Sequence, residues 1–265
     1  MTSTSGAQGV KPTILTFHGS GSNAMVHQVQ LARLTRVLGP DFNLESLEAP
    51  FPSQAGPGVL PFFDGCGPFK RWIKVTATVT EMKNGSSTNA LPTEVEDLVR
   101  TAVKRIQASG GRVAGLIGFS QGTRVVAGLL KCAEIIKVLK QKDEAALAGK
   151  DLDWCNWGFA ISVCGSYPPP LLAPSVTAVL AASSLSETEQ KELIGSKITT
   201  PVFHVQGEQD EWKWASELLI ENCYDVQEGK SVVKEWTMGH HYPVQVEESE
   251  EIGQWASQTT KAVEA

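Results

Sequence analysis

The chain has 265 residues, 42% hydrophobic and 20% charged, the profile of an ordinary globular protein with one large domain or two small ones. A net charge of −6 and a pI near 5.5 lack the basic footprint of a nucleic-acid binder, and no apolar run is long enough to span a bilayer. The five cysteines (Cys66, Cys132, Cys155, Cys164 and Cys223) are scattered, with no C-x-x-C pair, so neither a zinc site nor a disulfide framework is indicated. The start, "MTSTSGAQGVKP", lacks a basic-then-apolar pattern, and reduced thiols with a cytoplasmic location are expected.

In chain order, "PTILTF" (12–17) is a short β-rich run that ends at the loop "HGSGSN". "FNLESLEAP" (42–50) is a second predicted strand, and residues 51–69, dense in Gly, Pro and Phe, suit an irregular loop. "PTEVEDLVRTAVKRI" places Val95, Leu98, Val99, Ala102, Val103 and Ile106 at helical spacing, with Thr93 and Glu96 in a capping-box pattern. "RVAGLIG" (112–118) reads as a buried strand, running into the amphipathic helix "FSQGTRVVAGLLKCAEIIKVL". "WGFAISVCG" (157–165) is another buried strand, followed by the Pro-rich loop "SYPPPLLAP". A helix is predicted from Ser186, with Glu189 in the capping position. It is followed by a strand at 200–207, a helix at 211–223, a last strand at 231–237 and a helical tail. Strands alternating with helices predict a mostly parallel sheet covered on both faces. We expect one α/β domain over residues 1–265, with 1–11 flexible and with 51–90 and 166–197 as pocket or lid insertions.

Ligands of parallel α/β sheets bind at the carboxyl ends of the strands. Gly118-Phe119-Ser120-Gln121-Gly122 stands at such an end and has the G-x-S-x-G pattern. A serine on a sharp strand-to-helix turn projects its hydroxyl above the sheet, and flanking glycines keep the turn free of clashes. A serine hydroxyl needs a general base, and the base needs an orienting acid. Glu208, Asp210 and Glu211 follow the strand at 200–207, and His240 and His241 follow the last strand. The order serine, acid, histidine fits, although spacing leaves both the acid and the histidine open. An oxyanion hole would take one backbone N–H from Gln121 and another from His18-Gly19-Ser20-Gly21, with Ser20 first and Gly21 close behind. His18 itself reads as a structural residue of that loop.

Together, "LTFHGSGSN", "GFSQG", "PVFHVQGEQD" and "GHHYP" resemble the fungal serine hydrolase family (FSH1-type) of the α/β-hydrolase superfamily, over about residues 12–257. The resemblance implies an α/β-hydrolase fold and a catalytic set of Ser120, Asp210 and His240, because Gly239 and Pro243 frame His240 and Gly207 precedes Asp210. It also implies kinship with thioesterases and hydrolases that act with fungal polyketide synthases. Met238 stands where a second glycine is common, and Trp212 and Trp214 stand where small or apolar residues are common. Those departures bear on the shape of the histidine loop and of the pocket.

Residues 51–72 and 166–186 are expected to roof the site with Phe51, Phe62, Phe63, Phe69, Trp72 and Tyr167. Apolar, aromatic walls favour a fatty or long acyl group, unless these rings only seal the core. The expected substrate-contacting residues are Gly19, Gly21, Phe63, Trp72, Tyr167, Trp212, His241 and Tyr242. The expected activity is transfer of an acyl group from a thioester or ester, with no metal or cofactor. The polyketide resemblance points to an acyl carrier domain as the donor. A free-standing carboxylesterase, or a non-catalytic binding protein of the same fold, are the other readings.

Overall fold

Near-continuous apolar runs become the strands of one six-stranded parallel sheet, the pattern required when both faces are covered. A computed structural model describes residues 10–74, 78–167, 169–227 and 231–264. The sheet strands are β1 (Thr13–Phe17), β2 (Asn43–Leu47), β5 (Val113–Phe119), β6 (Phe159–Val163), β7 (Val202–Gly207) and β8 (Val232–Trp236). Between β2 and β5 lies a two-stranded antiparallel ribbon, β3 (Phe51–Ser53) with β4 (Phe69–Arg71). The helices are α1 (Ala24–Gln30), α2 (Ala32–Leu38), α3 (Val79–Asn84), α4 (Thr93–Ala108), α5 (Gln121–Lys142), α6 (Pro174–Ala181), α7 (Glu187–Gly195), α8 (Lys213–Cys223) and α9 (Val246–Glu264).

The strand order is β2-β1-β5-β6-β7-β8, so the direction of winding reverses between β1 and β5. The carboxyl ends of these two neighbours are where an open α/β sheet leaves a crevice. Alternate residues of each strand face opposite layers. Leu116, Ala160 and Val202 pack with α4, α5 and α6, whereas Ile117, Ile161 and Phe203 pack with α2 and α9.

Several expectations change. The helix pair α1–α2 was not anticipated, although Asn23 caps it by accepting the Val26 N–H at 2.8 Å. The capping box at Thr93 does not form, because helix α4 starts on Thr93 itself after Pro92. Glu96 is instead buried, pairs with Arg100 and accepts the Ser175 N–H at 3.2 Å. The box predicted at Ser186 and Glu189 does form. Part of segment 166–197 joins the core, whereas α7 within it has no buried residue. Leu171, Val176 and Leu180 are buried, and a Cβ at Gly128 of α5 would lie 1.8 Å from the Leu171 carbonyl oxygen. Most of the flexible lead expected over 1–11 lies outside the described residues.

Candidate active site

The elbow between β5 and α5 explains both of its glycines. A Cβ at Gly118 would lie 2.8 Å from the Thr123 backbone, and one at Gly122 would lie 2.2 Å from the Phe17 carbonyl oxygen. Ser120 between them is forced to φ 49°, ψ −121°, a left-handed conformation that costs a non-glycine residue on the order of 1–3 kcal/mol. The turn is fixed by the Ser120 N–H donating to Val163 O (3.1 Å) and by Thr123 donating from both N (2.9 Å) and Oγ1 (2.6 Å) to Ser120 O. Ser120 therefore stands at the positive end of a 22-residue helix, facing a cavity of about 220 Å³.

His240 lines the same cavity. Its Nδ1 bonds Asp210 Oδ2 at 2.9 Å, and Asp210 Oδ1 accepts the Trp212 N–H at 2.8 Å. Burial pushes the Asp210 carboxyl up, but His240, the Trp212 N–H and the Cys164 thiol together hold it below the ordinary carboxylate value. Gly207, the glycine before the acid, has to be glycine: a Cβ there would lie 2.4 Å from Met238 O. His241 is exposed and tied to its own loop. Its Nδ1 donates to Tyr242 O (2.8 Å) and its Nε2 accepts the Gly239 N–H (3.2 Å). Met238, in the place of a glycine, is buried beside Phe119 and Tyr242 and leaves His240 against Asp210.

On the β1 side the loop is braced from beneath. The Gly21 N–H donates to Lys70 O at 2.8 Å, which removes it as an oxyanion donor and leaves the Ser20 N–H. Ser20 and Gln121 both line the cavity. His18 is buried between the Ala49 N–H on Nε2 (3.1 Å) and Gly19 O on Nδ1 (2.7 Å), and burial lowers its pKa to about 4. It is a neutral strut.

Of the residues expected to touch substrate, Trp212 is in the cavity wall, joined by Ser20, Ile73, Met82, Arg124 and Ser166. Trp72 is fully buried under the loop, donating from Nε1 to His18 O (2.7 Å) and from its backbone N to Gln121 Oε1 (2.8 Å). Tyr242 is buried too, stacked on Phe119 at 5.1 Å with its hydroxyl on His27 Nε2. Gly19 packs against the Phe119 ring, and Gly21 faces Gly56. Phe63 lies in the turns after Pro57, outside the wall, with its neighbour Phe62 85% exposed. Tyr167 rims a separate cavity beside Lys131 and Pro169. His241 does not contribute either. Aromatic residues in the roof were read as walls because sequence shows ring content, whereas packing decides which side each ring faces.

Of the site residues not expected from the sequence, two bear on its chemistry. Cys164 follows β6 at φ 48°, and its thiol points to the carbonyls of Gly239 (3.8 Å) and His241 (3.6 Å), on either side of His240. Its place at a strand's carboxyl end was the available signal. Cys164, Asp210 and His240 hold donor atoms within 4.8 Å of one another. The 2.9 Å His240–Asp210 hydrogen bond joins two of the three, and burial, then the Asp210 charge, push the thiol well above its ordinary value. The arrangement can serve as an acid–base pair with the thiol beside it. Arg124, on α5, is the second missed residue.

Fold and site together define a serine hydrolase of the α/β-hydrolase class. Solved structures of the same fold include Zea mays acyl-protein thioesterase 2 (TM-score 0.51, 18% identity, 96% of each chain) and a Bacillus cereus carboxylesterase (TM-score 0.51, 16% identity, 94% of this chain and 89% of that one). The chain belongs to the family described as "Serine hydrolase (FSH1)", which it matches over residues 7–252. Relatives include esterase pigG of Monascus ruber, 32% identical over 89% of this chain and 87% of its own length. Esterase FUS5 of Gibberella moniliformis is 30% identical over 94% and 87%. No helix among the described residues is long and apolar enough to cross a membrane.

Proposed function

We propose that the chain releases an acyl group through an acyl-Ser120 intermediate, with His240 as proton shuttle and Asp210 as its orienting acid. The observation that carries this reading is the 2.9 Å Asp210–His240 bond opening onto the cavity that Ser120 faces. Ser120 Oγ attacks the carbonyl carbon while His240 Nε2 takes its proton, and Asp210 stabilises the imidazolium. The N–H groups of Ser20 and Gln121 receive the developing oxyanion. Collapse expels the thiol or alcohol, protonated by His240. Water then repeats the steps on the acyl-enzyme to give the acid, or a hydroxyl of the acyl chain does so to give a lactone.

The substrate we propose is a polyketide or fatty acyl thioester carried on an acyl carrier domain. The family resemblance and the apolar share of the wall, Ile73, Met82 and Trp212, support it. Five free cysteines, four of them buried, suit a reducing compartment such as the cytoplasm. A free-standing carboxylesterase is the second reading, favoured by the relatives named as esterases. Intact-protein mass spectrometry after incubation with acyl thioesters should find an acyl adduct that Ser120→Ala abolishes. Similar kcat/KM for a carrier-bound thioester and a free ester of the same acyl group would sink the carrier reading. Folded protein that neither acylates nor reacts with a fluorophosphonate would sink the hydrolase mechanism.

A further inference from the structure

Acyl transfer itself has no need of the arginine in this cavity. Arg124 lies in the first turn of α5, four residues after Ser120, and both line the same cavity. It is 2% exposed, yet it forms part of the wall with Ser120, Gln121 and His240. A buried guanidinium ordinarily has a carboxylate partner, because an uncompensated buried charge is costly. Among the described residues Arg124 has none. Its Nε and Nη2 donate to Pro169 O (both 3.3 Å), and Nη2 also donates to Thr88 O (2.6 Å) and Ser87 Oγ (3.2 Å).

All of these acceptors are neutral, and a neutral donor would satisfy them as well. Nη1 has no acceptor among the described residues. Burial lowers the guanidinium's pKa only to about 10, so it is charged near neutrality. Around it the wall is apolar or uncharged apart from His240. A fixed positive charge between low-dielectric walls attracts an anion more strongly than the same charge on a surface.

We infer that the cavity takes an acyl group bearing a carboxylate towards its far end, received by the Arg124 guanidinium while Ser120 engages the scissile carbonyl. The inference rests on the acyl-serine reading above and adds the substrate class. An anion on the departing group, such as a phosphate on a carrier's arm, is another source of the same chemistry. At 2% exposure Arg124 is suited to a group held inside the cavity on the acyl chain, so the carboxylate belongs on that side.

The test compares aryl hemiesters of adipate and pimelate with aryl hexanoate and heptanoate. Hexanoate esters whose aryl leaving group bears a carboxylate are the third arm. Wild-type kcat/KM should favour the hemiesters over the neutral esters by at least about tenfold, the range of one charge-assisted hydrogen bond, and the anionic leaving group should gain nothing. Arg124→Gln should bring the ratio near one, and Arg124→Lys should restore part of it. A wild-type preference for neutral esters, an advantage confined to the anionic leaving group, or an unchanged ratio in Arg124→Gln would overturn the inference. If the variants fail to fold, the wild type alone decides: adipate should slow fluorophosphonate labelling of Ser120 where hexanediol does not. Equal effects of the two compounds would overturn the inference. If the folded protein labels with nothing and cleaves nothing, it is the acyl-serine reading that fails. The anion site is then read by the melting temperature, which adipate should raise and hexanediol should not; no rise would overturn it.

Discussion

Trp72→Phe separates the support of the oxyanion loop from its chemistry. The indole Nε1 donates to His18 O at 2.7 Å, and the ring packs on Phe17 and His18 with centroids 5.3 and 5.0 Å away. Phenylalanine keeps the backbone N–H that holds Gln121 Oε1 but leaves a buried carbonyl without its donor, costing about 1–3 kcal/mol. The smaller ring adds about 1 kcal/mol for the void. Together these lower the melting temperature by about 4–12 °C in a chain of this size. Deleting one oxyanion donor costs about 10²–10³ in kcat, so loosening the Ser20 N–H should cost about tenfold to hundredfold, with KM little changed. Steady-state hydrolysis of an aryl ester beside a thermal melt measures both effects. A melting temperature that falls as expected while kcat stays within about twofold would refute the reasoning, leaving Trp72 as core and nothing more.

His240→Ala should lower kcat by about 10⁴ or more, whereas His241→Ala, whose ring bonds only its own loop, should keep it within about tenfold; steady-state assays of both variants check this. Gly122→Ala should fail to give folded protein, since its Cβ would lie 2.2 Å from Phe17 O; Gly195→Ala, with nothing within 4 Å, should fold normally, as circular dichroism would report. Burial lowers the pKa of His18 to about 4, of His204 to about 3 and of His27 well below the ordinary value. Between about pH 4 and 6.5 the unfolded chain binds protons that the native imidazoles refuse, so stability falls on acidification by about 1.4 kcal/mol per pH unit for each histidine. Asp210, held below its ordinary value, loses its contribution only under the carboxylate range, outside that window. Urea melts between about pH 7 and about pH 5 should slope accordingly; a flat profile would contradict the burial of these rings.

The sequence made the sheet legible because strands covered on both faces are short apolar runs, as in "RVAGLIG", and because each ends in a turn that carries a polar side chain. The elbow was legible for a related reason: only glycine fits beside the Phe17 carbonyl and the Thr123 backbone. Helix pair α1–α2 was overlooked although Val26, Leu31, Leu34 and Leu38 are buried at near-helical spacing. The β3–β4 ribbon is invisible locally, since its pairing crosses a Gly- and Pro-rich loop. Choosing between the two histidines required the direction of their side chains, which adjacent loop residues do not encode. Arg124 was concealed by its helix, where one arginine among apolar residues reads as a solvated position. Its place in the first turn of the helix that the serine elbow opens was the clue.

The Gly21 N–H meets Lys70 O, the Gly56 N–H meets Gly21 O, and Asn23 Nδ2 donates to Cys66 O at 2.7 Å. Residues 57–65 thus form a bow between two anchored points, with open space around Gly58 and Gly65 and an exposed tip at Phe62. Pro57, at the root of the bow, already borders the cavity. Apart from Val59, which is buried, the bow can therefore be varied while its anchors hold the Ser20 N–H in place. Access to the pocket and the chemistry at its floor are separable here, which makes this stretch a natural graft site for changing what the enzyme admits.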